Sequence, residues 1–131
     1  MFLRDLEQSL KECFLDIAFM IASSDGDYSE SEKALIREYQ LEMNINYEPK
    51  AQSSDYIIST LSSATNSDRK KIVFELASLA MVDDVYTDEE KEILENLAQA
   101  LDIPTSFIIE SFDIINGLKN LYLKSALLVS E

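Results

Sequence analysis

An all-α fold, a single helical domain covering residues 1–131, is predicted by three observations in the sequence. The chain has only two Gly and two Pro, too few for the turns of an all-β protein, while 47% of it is hydrophobic. Apolar residues recur at three- and four-residue steps through most of its length, the period of a helix with one buried face. An acidic segment that ends one apolar helical run and opens the next occurs twice at a constant offset, since 83 − 25, 86 − 28 and 90 − 32 all equal 58. At 131 residues such a chain can bury a core without disulfide or metal staples.

The periodicity places about seven helices. Leu3, Leu6, Leu10, Cys13, Phe14, Ile17 and Ile21 define a long first helix, which becomes apolar nearly all round after Phe14. Asp16 interrupts that apolar end and is expected at the rim or beside a base. The second helix runs from about Glu30 to Met43, with Leu35, Ile36, Tyr39 and Met43 inward. Residues 56–61 read as a short helix with Ser53, Ser54 or Asp55 as cap, although their β-branched content also suits a strand. Ser67 can cap a fourth helix over Asp68–Met81, and a fifth covers Asp88–Leu101 before Pro104. A sixth spans about Ser106–Asn116, with Gly117 placed to end it. The seventh, Leu118–Val129, carries only Lys119 and Lys124 as charges. It is expected to pack across the two repeats and close the domain, or else to present a dimer or partner surface.

The duplicated joint is the most informative stretch. In Ser24–Glu32 and Val82–Glu90 an Asp follows an apolar helix, a Tyr sits in the turn, and Ser29 or Thr87 precedes Glu32 or Glu90 by three residues. That spacing is a capping box, in which the hydroxyl accepts from the Glu amide and the Glu carboxylate accepts from the capping residue's own amide. Tyr28 and Tyr86 stand where a hydrophobic staple belongs, within reach of Lys33 or Ala34 and of Lys91 or Glu92. Laid over each other without gaps, residues 14–45 and 72–103 match at Ala22, Asp25, Tyr28, Glu32, Lys33 and Ile45, so two pseudo-symmetric helical hairpins are the expected architecture.

Charge and residue inventory exclude several function classes. The net charge of −14 repels phosphate backbones, and no Lys/Arg cluster offsets it, so nucleic acid is not an expected partner. Without histidine the commonest general base and transition-metal ligand is missing. Cys13 is the only cysteine and lies on an apolar stripe, which suits a reduced core thiol. The first residues lack the pattern of a signal peptide, and no apolar run reaches the ~20 residues of a transmembrane helix. A cytoplasmic location without direct membrane insertion is therefore expected.

An apolar helix ending in Ala-x-x-Asp-Gly-x-x-Ser-x-x-Glu, here Ala22 to Glu32 and again Ala80 to Glu90, resembles the TerB-like group of bacterial tellurite-resistance and stress-response proteins and the related N-terminal domain of DjlA-type co-chaperones. The second copy departs by placing Asp84 where Gly26 stands. The resemblance implies an all-helical, non-enzymatic domain that assembles with protein partners, some of them membrane-associated, and it raises metal binding at the acidic joints.

The residues themselves exclude a calcium-binding EF-hand. Asp25, Gly26, Tyr28 and Glu32 fit the tail of that loop, but its first and third ligand positions would be Ile21 and Ser23 in one copy and Leu79 and Met81 in the other. A looser, all-oxygen cation site survives, with Asp25, Asp27, Glu32, Asp83, Asp84 and Glu90 as candidate ligands and Ca²⁺, Mg²⁺ or Mn²⁺ as the suited ions. Taken singly, each acid also has a simpler role in stabilising a turn or a helix N-terminus. No nucleophile, phosphate cradle or acid/base pair is evident, so no enzyme is expected. The expected function is an acidic protein-interaction module, with a divalent-metal-regulated sensor or a co-chaperone-type adaptor as the alternative. A homodimer through the final helix is compatible with either.

Overall fold

The computed structural model describes residues 1–24, 26, 28–82 and 86–130. These form six α-helices and no strand: α1 (Gln8–Ala22), α2 (Glu30–Met43), α3 (Ser54–Ser62), α4 (Asn66–Ala80), α5 (Asp88–Ala100) and α6 (Thr105–Val129). The centre is α1, which packs on α2, α3, α4 and α5 and buries Phe14, Leu15, Ile17, Ala18 and Ile21. Its nearly all-round apolar end is what a helix surrounded by four others needs.

The expected first helix is shorter than its apolar spacing suggested. Leu3 and Leu6 are buried, yet they precede α1 in a turn. The amide of Phe2 donates to Glu75 and that of Leu3 to Glu42, which ties this segment to α4 and α2 and leaves Glu7 extended before the helix. Residues 54–62 are helical rather than strand, started by Ser53, whose hydroxyl accepts from the Tyr56 amide at 3.2 Å. The cap of α4 is Thr65, two residues before the expected Ser67, and its hydroxyl accepts from Asp68.

Seven expected helices become six because Gly117 does not end one. A C-terminal stop needs a residue in the left-handed region and amides returning to the last carbonyls. Gly117 has no positive φ, and α6 continues through it from Thr105 to Val129. The expected closure by residues 118–129 is likewise not found. α6 packs on α4 and α5 through its first half, where Ile108, Ser111 and Ile115 are buried; Lys119 still donates to the Met81 carbonyl, and from residue 120 on the helix is exposed on every side, as at Tyr122 (74%) and Leu127 (69%).

The 58-residue offset holds in backbone geometry. α1 is followed by Ser23 (φ −99, ψ 3) and α4 by Met81 (φ −101, ψ 7). At the far end of each hairpin Asn44 (φ 53) and Asp102 (φ 57) adopt the left-handed conformation. The following amides, of Ile45 and Ile103, donate to Gln40 and Ala98, and 40 + 58 is 98. Asn and Asp tolerate that conformation better than other non-glycine residues, so a hairpin without glycine can still close its helix.

Candidate functional site

Of the six candidate cation ligands, Asp25, Asp27, Asp83 and Asp84 lie outside the described residues. The remaining two, Glu32 and Glu90, are each 5% exposed and complete the capping boxes. Glu32 accepts from the Ser29 amide at 3.0 Å while its own amide donates to the Ser29 hydroxyl at 3.1 Å; Glu90 and Thr87 repeat the pair at the same distances. Both carboxylates thus meet the positive end of the helix they start. Among the described residues no group of three or more Asp, Glu or Cys is placed to share a metal ion.

The two joint tyrosines diverge. Tyr28 packs edge-on against Phe19 at 5.7 Å and carries the Lys33 amine over its ring at 5.4 Å, the expected staple partner. Tyr86 instead meets Phe112 of α6 at 4.9 Å. Its hydroxyl is buried without a hydrogen-bond partner among the described residues, and burial pushes its pKa up to about 12, with the charges of Glu95 and Glu90 adding to the shift.

What brings the two joints together is a groove of about 520 Å³ between α1, α3 and α5. Phe19 and Met20 of α1, Ile57 and Ile58 of α3, and Ile93 of α5 give it an apolar lining. Its polar rim takes Ser23 and Ser24 from the end of α1, at the first joint, and Glu89 and Glu92 from the start of α5, at the second. Both glutamates are exposed, and Glu89 belongs to the acidic first turn that favours the start of α5. Such a trough, apolar below and negative along one side, suits an amphipathic helix that presents Lys or Arg beside its apolar stripe.

Two polar clusters were not legible in the sequence. Asp16, expected at the rim, is only 1% exposed. It accepts from the Tyr47 hydroxyl at 3.0 Å, the Lys50 amide at 2.9 Å and the Gln52 side chain at 3.2 Å, so neutral donors satisfy it instead of a base. These bonds hold residues 47–52 against α1. Burial, with the Asp16 charge next, pushes the Cys13 thiol up to about 12, which keeps it protonated and unreactive at neutral pH. The second cluster joins the Met1 α-amino group to Glu42 and Glu75. Burial pushes the Glu75 carboxyl above its ordinary value, only partly opposed by the amine and the Phe2 amide. Burial acts on Glu42 in the same direction, but there the hydrogen bonds from the amine and Leu3 outweigh it and lower the pKa. Partners so far apart in the chain leave no local pattern. In comparisons with known proteins, the chain matches no family model, no curated protein and no solved structure.

Proposed function

We propose that this chain is a non-enzymatic interaction module of TerB-like fold, in which two hairpins related by an approximate twofold present one acidic, apolar-lined groove to a protein partner. The groove between α1, α3 and α5 carries this reading, because it sets the exposed Glu89 and Glu92 beside an apolar trough large enough for part of a helix. The repeated capping boxes and left-handed hairpin ends support the duplicated architecture. The partner presents a basic amphipathic helix, and it belongs to the cytoplasmic, partly membrane-associated assemblies that the sequence resemblance implies. Ca²⁺, Mg²⁺ or Mn²⁺ at the acidic joints is an accessory part of the same proposal.

The test is binding of a designed Lys- and Leu-containing helical peptide to the full chain, followed by fluorescence anisotropy. Affinity is expected to fall with salt and to drop by about tenfold when Glu89 and Glu92 are both reversed to Lys. Binding indifferent to that reversal sinks the groove. Calorimetric titration with the three cations separately tests the metal: heat that disappears in the Asp25→Asn, Asp83→Asn double variant supports it, and no heat at millimolar metal removes it.

A further inference from the structure

We propose that α6 is a dimerisation helix, pairing antiparallel with α6 of a second copy and laying its exposed C-terminal end into an apolar groove of that copy. Thirteen large hydrophobic side chains are exposed among the described residues, and nine of them lie on α6. Seven of those nine lie between Leu118 and Val129, where α6 runs on past the body and leaves its apolar side chains in water. Something must cover them, and three observations identify a second α6.

The first is spacing. Phe107, Ile114, Leu118, Leu121, Ser125 and Leu128 follow one another at steps of seven, four, three, four and three, the repeat of a two-helix seam in which Ser125 and the intervening Ser111 are polar, Ser111 being buried within its own copy. The second is a receiving surface on the same seam. Phe107 and Ile114 line a groove of about 590 Å³ with Phe2 and Phe74, alongside the packed half of α6. An antiparallel neighbour would lay its residues 118–129 against that groove. The third is charge. With the helices crossing at Gly117, Lys124 of one copy faces Glu110 of the other, twice by symmetry. Both are exposed and form no ion pair among the described residues. Antiparallel pairing also sets the two acidic bodies at opposite ends of the pair, which limits their repulsion.

Gly117 then acquires a purpose. Inside a helix it costs roughly 1 kcal/mol relative to Ala. Among the described residues nothing outside its own helix turn lies within 4 Å of the space a Cβ would fill. A crossing point is where a missing side chain lets two backbones approach.

Sedimentation velocity of the full chain at micromolar concentrations tests this. A dimer is expected, and Leu121→Glu should yield a monomer whose circular dichroism still shows the folded body, Leu121 being 61% exposed. Glu110→Lys should weaken the dimer by about tenfold, because each substitution counts twice, and Lys124→Glu added to it should restore the affinity. Mixed E110C and K124C chains should cross-link to each other in preference to themselves. A monomeric wild-type chain, a dimer unaffected by Leu121→Glu, cross-linking within each variant instead of between them, or a monomer that floats with neutral lipid vesicles would each overturn the proposal. A failed dimer leaves the groove between α1, α3 and α5 untouched, since the two surfaces share no residue.

Discussion

Tyr39 and Tyr86 show how the same side chain is used in opposite ways. Tyr39 is buried against Phe14 and its hydroxyl donates to the Glu75 carbonyl at 3.2 Å, so its polar end is satisfied. Tyr86 buries an equal hydroxyl with no partner among the described residues. Leaving a buried hydroxyl unpaired costs about 1–3 kcal/mol, whereas a made hydrogen bond contributes about 1 kcal/mol net. Tyr86→Phe is therefore expected to leave stability unchanged or raise it by up to about 1 kcal/mol, and Tyr39→Phe to lower it by a similar amount, both by urea denaturation. A loss of more than about 1 kcal/mol in Tyr86→Phe would show that its hydroxyl has a partner after all. Position alone foretold the staple of Tyr28, because Lys33 is five residues away on the next helix turn. It could not foretell Phe112 beside Tyr86 or Tyr47 beside Asp16, contacts made by chain crossings that no periodicity encodes.

Among the elements, the helix starts were the most legible because a capping box is written in four consecutive residues. Ser29–Glu32 and Thr87–Glu90 are found as the sequence implies, and α2 runs over the expected Glu30–Met43. Helix ends were less so. Asn44 and Asp102 stop α2 and α5 with a left-handed residue that composition does not announce, while Gly117, the conventional stop signal, lies inside α6. A glycine ends a helix only where the chain has a reason to turn, and the apolar residues on both sides of Gly117 keep one helical spacing that α6 carries through it. Ser29→Ala and Thr87→Ala should each cost about 1 kcal/mol in urea denaturation. The two caps sit on different helices and share no bond, so the double variant should lose nearly the sum. A double variant no worse than either single one would mean that one joint opens before the rest of the molecule unfolds.

At the scale of the whole molecule, protonation unites sites that are otherwise separate. Burial raises Cys13 from its ordinary value of 9 to about 12, and Tyr47 and Tyr86 from 10 to about 12. In each the folded state holds its proton more tightly than the unfolded chain, so the stabilisation is complete below the unfolded value and is lost as pH rises through the folded one. Each ionisation also adds negative charge to a chain already at −14, so self-repulsion acts in the same direction. The urea midpoint should accordingly begin to fall near pH 8, since against the opposing effect of burial Glu42 and Glu75 hold the Met1 amine above its ordinary value of 8.0, steepen near 9, where the unfolded thiol starts to release its proton, and continue falling toward 12. Removing the thiol should make the fall between 9 and 10 shallower: Cys13→Ala, compared with its own midpoint at neutral pH, should lose there only the contribution of the Met1 amine, until the tyrosines of the unfolded chain begin to titrate near 10. If Cys13→Ala and the native chain decline together from 9, the thiol plays no part and the alkaline limb belongs to the tyrosines and the net charge. If the native midpoint stays level up to 12, these groups are open to water and the core around Asp16 is looser than its hydrogen bonds require.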